Sequence, residues 1–286
     1  MTEPLPADVR PGAGVIARLR AVGRLAGGVA LAPVYRAYAV RLRAEVLAHP
    51  VPNHVALIMD GNRRWARELG FREIKAGHSH GADKAVELLD WCAAIGIHEV
   101  TLWALSLENL ERSAEEVTAI TEIARATLEA LAQRDRVRPM AMSLQVIGRR
   151  DLLPERLREA AERGEAETRG RPGLRVTLAL GYSGRDELVE AARAAVRALV
   201  AEGTAPEALA DALTAERLAA QLYTSGSSDP DLIIRTSGEV RLSGFLPWQS
   251  AYSEFYFCDA YWPAFREIDL LRAVRTYQQR ARRFGR

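Results

Sequence analysis

Four stretches of this 286-residue chain concentrate the groups that chemistry uses. Asp60, Gly61, Asn62, Arg63, Arg64 and Trp65 follow one short apolar run, and Ser106, Leu107, Glu108, Asn109, Leu110, Glu111 and Arg112 follow a second. Gly181 to Arg185 follow another, and a further run ends in a stretch carrying Arg235, Thr236, Ser237, Gly238, Arg241, Leu242 and Ser243. Arginine offers planar bidentate donors, glycine lets backbone approach closely, and helix starts present free amides, so such a gathering suits a phosphate or diphosphate. Asp60 and Glu254 suit magnesium, which usually takes one or two carboxylates together with substrate phosphates. His78 and His80 lie in a Gly-His-Ser-His-Gly run; without further ligands nearby they suit phosphate binding or helix capping better than zinc.

Each feature has a plainer alternative. Asp60 before a glycine is what a turn or helix N-cap uses, Arg63 and Arg64 can be solvated charges, and Ser106 to Arg112 can simply cap a helix. The stretch from Arg235 to Ser243 holds more than a turn requires. Their conjunction carries the functional reading.

The elements that must position these residues alternate along the chain. Short apolar runs predict strands at Val55 to Met59, Glu99 to Leu105, Met142 to Ile147, Leu174 to Leu180, Asp231 to Arg235 and Glu254 to Phe257. Helical patterns fall at Ala76 to Ile95, Ser113 to Asp135, Pro154 to Thr168, Asp186 to Ala201, Ala215 to Leu222 and Asp269 to Arg283, with Ser113 and Glu116 placed as a capping box. Alternation of this kind predicts an α/β fold: a mostly parallel six-stranded sheet flanked by helices. In such sheets ligands bind beyond the carboxyl ends of the strands, where the four polar stretches fall.

A content of 48% hydrophobic and 27% charged residues predicts a globular protein, and a net charge of +2 gives no sign of a nucleic-acid binder. Residues 51–286 are read as one domain, behind a basic helical extension at 1–50. From Val9 to Ala44 that extension contains seven arginines and no acid, a pattern open to peripheral membrane contact or to packing on the body or a second subunit. Cys92 and Cys258 form no CxxC pair, so a reduced, cytoplasmic setting with buried thiols is expected. Phosphate-loop, dinucleotide and zinc-protease motifs are absent, as is the paired-aspartate run of helical trans-prenyl synthases.

Met59 to Ala66, Ser106 to Ser113, Gly181 to Glu187, Asp231 to Gln249 and Ala251 to Phe257, in this order, resemble the cis-prenyltransferases, the isoprenyl transferases of the undecaprenyl diphosphate synthase family. The likeness runs from about Pro52 to the C-terminus. It implies a homodimer that joins isopentenyl diphosphate to an allylic diphosphate with a new cis double bond, using Mg²⁺. By the resemblance, Asp60 is the catalytic, magnesium-binding aspartate, and Gly61, Asn62, Arg63, Arg64 and His78 cradle the allylic diphosphate. Trp65, Ser106, Leu107, Glu108, Leu110 and Arg112 also match substrate-binding positions, and Asn109 matches the residue proposed to assist proton loss. Arg235, Arg241, Leu242 and Ser243 match the isopentenyl diphosphate site, Glu254 the second magnesium ligand, and residues 282–285 a tail that reaches the neighbouring subunit.

The chain departs from the family pattern at Arg63, where many members have glycine, and at Leu110, where many have tryptophan. One extra residue between Trp65 and His78 leaves open whether Arg72 or Lys75 replaces a phosphate-binding arginine. Details around Trp65, Asn109 and Tyr223 are most similar to short-chain actinobacterial members making a (Z,E)-farnesyl-type product. Against that, strand alternation puts small Ala104 beneath Ser106, where a bulky residue would plug a tunnel, so medium- or long-chain synthesis and irregular coupling of two allylic diphosphates stay open. Two other classes remain. A phosphohydrolase using Asp60 as nucleophile would want a second acid where Asn62 stands. A noncatalytic prenyltransferase subunit would lack the Asp60 equivalent.

Overall fold

The computed structural model describes residues 37–71, 75–134 and 141–280. Six strands build one sheet: β1 (His54–Ile58), β2 (Glu99–Ser106), β3 (Met142–Ile147), β4 (Leu174–Tyr182), β5 (Leu232–Arg235) and β6 (Glu254–Phe257). Their order is β3-β4-β2-β1-β5-β6 and every pairing is parallel. The chain grows outward from β1 through β2 to one side and returns to the other side with β5. β1 is therefore where the strand order switches, and its carboxyl end opens into a crevice.

All five residues of β1 are buried, because helices and loops cover both faces. Val55, Leu57, Val100, Leu102, Val176 and Leu178 enter the larger core, formed with α3 (Lys75–Ala94), α4 (Ala114–Ala132), α5 (Glu155–Thr168) and α9 (Glu267–Gln279). Ala56, Ile58, Ala179 and Ile233 enter a smaller cluster with Tyr182, Phe245 and Leu246. Alternation along the strands divides them in this way, since successive side chains leave a sheet on opposite faces. α6 (Gly184–Ala201) turns Ala191, Ala195 and Leu199 inward, and the short α7 (Leu209–Ala212) and α8 (Ala215–Ala219) lead into β5. Both cysteines are buried and free.

The predicted strands and longer helices recur with shifted ends. Residues 62–68, however, are helical (α2, Asn62–Glu68) where the sequence reading had a connecting loop, and Leu107–Glu111 form a 3-10 turn. α1, residues 37–47, buries Leu42 and Val46 against the body, while Gln278 of α9 donates to the carbonyls of Val46, His49 and Pro50. Thus the described part of the extension is seated on the domain. Residues 1–36 and the tail at 282–285 lie outside the described residues, as does Arg72. No described helix is long and apolar enough to cross a membrane.

Candidate active site

Asp60 stands two residues beyond β1, and Thr236, the residue after β5, fixes its backbone together with Trp262. Its amide donates to Thr236 Oγ1 (2.9 Å), and its carbonyl accepts from Thr236 Oγ1 (2.7 Å) and from the Trp262 amide (3.0 Å). Gly61 then turns the chain into α2 with φ 103°; a Cβ there would lie 2.7 Å from Tyr261 Cδ1, so a side chain is excluded by both conformation and space.

Two guanidinium groups hold the Asp60 carboxylate. Oδ2 accepts from Arg235 Nη2 at 2.9 Å, and Oδ1 lies 3.2 Å from Arg64 Nη2. Burial works against the charged carboxylate, but the Arg235 hydrogen bond and the charges of both arginines outweigh it and hold Asp60 below its ordinary range. Arg235, the last residue of β5, also donates through Nη1 to the Arg241 carbonyl (2.6 Å) and to Ser243 Oγ (2.8 Å). Arg64 reaches Ser237 Oγ (2.7 Å) and Glu239 Oε1 (3.0 Å), and Glu239 takes a second arginine, Arg241. Ser237 and Ser243 carry φ values of 77° and 53°, a left-handed backbone that is costly for a residue other than glycine and is characteristic of functional loops.

These groups line a cavity of about 470 Å³. It brings together Asp60, Gly61, Asn62, Arg63, Arg64, His78, Ser106, Asn109, Arg112, Arg235 and Ser243, which the sequence had singled out. Arg67, Met59, Trp103 and Ile120 also line it. Five arginines therefore face a cavity in which Asp60 is the one carboxylate among the described lining residues. Ser106 and Asn109 cap each other: Ser106 Oγ accepts from the Asn109 amide, and Asn109 Oδ1 from the Ser106 amide, each at 3.2 Å. Burial, aided by the neighbouring Arg112, pushes His78 down to about 4, so its imidazole is neutral at physiological pH.

Behind the arginines a narrow slot of about 70 Å³ continues between the sheet and α3 and α4. Leu102, Ala104, Leu178, Leu180, Ile123 and Thr127 line it, and it shares Met59, Asn62, His78, Ala104 and Ile120 with the charged cavity. An arginine-lined chamber thus adjoins an apolar one.

Several sequence-predicted residues lie elsewhere. Trp65 does not line the cavity; it stacks on Phe71 (ring centroids 5.5 Å apart) and meets His80 at 4.9 Å. The reason is helical phase. Within α2, Arg63, Arg64 and Arg67 fall on one arc while Trp65 projects from another side. The same phase makes Arg67 the cavity residue that sequence reading missed, four positions after Arg63. Glu108 is exposed, Leu110 packs on the core, Leu107 stays outside the lining, and Leu242 packs in the smaller cluster. Arg241 contributes its carbonyl to Arg235 and leaves its side chain exposed.

Glu254 is also not brought to Asp60. It opens β6 opposite Leu232, three residues below the level of Arg235 and two strands from β1. That places it about 10 Å down the sheet and about 10 Å across it, too far to share one ion with Asp60 in the same chain. Its carboxylate instead pairs with Arg280. Nor do His78 and His80 form a joint metal site, since His80 bonds the Ala76 carbonyl and packs at a tilt against Trp65. Among the described residues no cluster of three or more His, Cys, Asp or Glu could hold a metal. A single carboxylate ringed by arginines nevertheless suits magnesium, which usually completes its shell with water and substrate phosphate oxygens.

Fold and cavity together define a class: an α/β protein with an arginine-lined cavity at the switch point of a parallel sheet and an apolar slot beside it. Residues 58–285 match the family described as putative undecaprenyl diphosphate synthase, and the chain belongs to that family. It is 48% identical over 254 residues to an isoprenyl transferase of Thermus thermophilus, covering 89% of this chain and 96% of that protein. It is 49% identical over 259 residues to a (2Z,6E)-farnesyl diphosphate synthase of Thermobifida fusca, covering 90% of this chain and 99% of that protein. A crystal structure of lavandulyl diphosphate synthase from Lavandula x intermedia, in complex with dimethylallyl diphosphate, superposes with a TM-score of 0.77 at 35% identity, covering 82% of this chain and 99% of that one. The chain is a cis-prenyltransferase, an enzyme of isoprenoid biosynthesis.

Proposed function

We propose that this enzyme condenses isopentenyl diphosphate with a short allylic diphosphate and releases a short-chain, Z-configured prenyl diphosphate. The observation that carries the reading is the continuity of the five-arginine cavity with the apolar slot. The allylic diphosphate would lie against Arg63, Arg64, Arg112 and His78 with its hydrocarbon in the slot, and the isopentenyl diphosphate against Arg235, Arg241 and Ser243. As the allylic C–O bond breaks, its electron pair passes to the diphosphate, and the fixed guanidinium groups stabilise the charge that develops there. The isopentenyl double bond then attacks the allylic carbon, and the released diphosphate accepts the proton lost near Ser106 and Asn109 as the new double bond forms. Water excluded from the slot cannot intercept the cation.

Asp60 would hold Mg²⁺ together with the substrate's diphosphate, and the ion would supply Lewis-acid charge neutralisation there. Both Asp60 oxygens are engaged by arginines, which suits an electrostatic role better than nucleophilic attack on phosphorus. The short product is supported by the narrow slot and by the likeness to a (2Z,6E)-farnesyl diphosphate synthase. A homodimer belongs to this reading: Val189, Val196 and Val200 leave an exposed apolar stripe along α6 that a second copy would cover.

The test supplies purified protein with Mg²⁺, labelled isopentenyl diphosphate, and dimethylallyl, geranyl or farnesyl diphosphate in separate reactions. Products are sized by chromatography. A labelled short prenyl diphosphate is expected; no incorporation with any acceptor would refute the proposal, and long polyprenyl products would refute its chain-length part.

A further inference from the structure

We infer that Glu116 is a positioning residue of the allylic diphosphate pocket, holding Arg63 and Arg112 by one edge each so that their remaining nitrogens face the substrate. The inference rests on the proposed placement of the allylic diphosphate.

Glu116 lies in the first turn of α4, three residues after its N-cap. Ser113 Oγ accepts from the Glu116 amide at 3.4 Å, the first half of a capping box. The second half is missing, because the Glu116 side chain turns away from the helix end. Its Oε1 accepts from Arg112 Nη1 at 2.7 Å and lies 3.6 Å from Arg63 Nε. A carboxylate with only 15% of its side chain exposed has thus given up a local helix cap for two arginines on separate elements.

The way each arginine is held matters. Arg63 is approached at Nε, a buried nitrogen with no hydrogen-bond partner, which leaves its terminal nitrogens uncommitted. Arg112 is held through Nη1, leaving Nη2 and Nε. Both side chains line the cavity. The neighbouring His78 offers no negative charge in either protonation state, so it cannot serve as a counter-charge. Without Glu116, two like charges would share this corner with nothing to fix their separation. A diphosphate needs its bidentate donors at a set spacing, so the carboxylate acts through the arginines. Arg64 and Arg235 do not depend on it: Asp60 and Glu239 hold Arg64, and Asp60 holds Arg235.

The experiment compares wild type with Glu116→Gln, Glu116→Asp, Arg63→Gln and the Arg63→Gln/Glu116→Gln double variant. KM is measured separately for each substrate, and binding of inorganic pyrophosphate by calorimetry. Loss of one charge-assisted hydrogen bond predicts that Glu116→Gln raises the allylic KM and weakens pyrophosphate binding by about 10- to 100-fold. The isopentenyl diphosphate KM should stay within about twofold, Glu116→Asp should recover most of the loss, and the double variant should be little worse than either single one. Equal shifts in both KM values, a fall in kcat with both KM values unchanged, tighter pyrophosphate binding, or multiplicative effects in the double variant would each overturn the assignment. Should Glu116→Gln not fold, Arg63→Gln decides, since an unchanged allylic KM would remove the contact Glu116 is said to position. Wild-type protein that made no prenyl product would refute the proposed function, and the pyrophosphate titration would still decide the role of Glu116.

Discussion

Arg235 Nη2 donates to Asp60 Oδ2 at 2.9 Å across two neighbouring strand ends. The pairing follows from register, because Ile58 of β1 sits opposite Arg235 of β5 and Asp60 lies just beyond. Only 5% of the Arg235 side chain is exposed, and its three internal acceptors bind the loop from Arg241 to Ser243 to the same carboxylate. One buried guanidinium thereby sets the distance between Asp60 and the loop carrying Ser243.

Asp60→Asn keeps the shape of this centre and removes its charge. Turnover should fall by about 10²- to 10³-fold, as when one preorganised electrostatic contact is lost from an active site. The far-ultraviolet circular dichroism should be unchanged. Steady-state assays with Mg²⁺ check this, and a near-normal rate would remove Asp60 from the mechanism.

His78 yields a pH prediction. Its folded value, about 4, lies below the ordinary 6.5, so folding favours the neutral ring. The contribution to stability is complete above about pH 6.5 and is lost as pH falls toward about 4. Urea titrations at about pH 7 and about pH 5 should show wild type losing more stability than His78→Asn across this interval. Equal losses would count against a buried neutral ring.

Ala104 is the β2 side chain common to the charged cavity and the slot. Ala104→Leu should close the slot near its mouth, shift products toward fewer added units and raise the KM for farnesyl diphosphate above that for dimethylallyl diphosphate. Chromatographic sizing would show it. An unchanged product distribution would mean that the tail runs elsewhere.

Phe245 stacks on Trp103 with ring centroids 5.1 Å apart and is fully buried. Phe245→Ala should cost about 3–5 kcal/mol of stability in denaturant titrations. Because Trp103 lines the cavity, the variant should also weaken isopentenyl diphosphate binding under conditions where it remains folded.

Much of this arrangement was legible in the order of residues. Strands and long helices announce themselves by apolar runs and periodicity, and parallel strands must place the residues that follow them on one rim. Asp60, Arg112 and Arg235 could therefore be gathered before any coordinates. The errors came from treating 60–65 as a linear loop. Seven residues are too few for a helical pattern to stand out, and once they coil, Trp65 leaves the cavity while Arg67 enters it. Glu116 illustrates a different limit. Its spacing from Ser113 signals a cap, but two arginines that bind it more strongly lie one on α2 and one four residues before it, and only their shared corner reveals the competition.

By itself the sequence determined the alternating α/β build, the rim on which the polar loops meet, and the arginine-rich character of that rim, because periodicity and residue type are local properties. Tertiary structure decided which members of each motif reach the cavity. It turned Trp65 outward, set Glu254 at the far end of the sheet from Asp60, and drew Glu116 onto Arg63 and Arg112. Those outcomes depend on helix phase and strand register, which are fixed by the packing of segments distant in the chain.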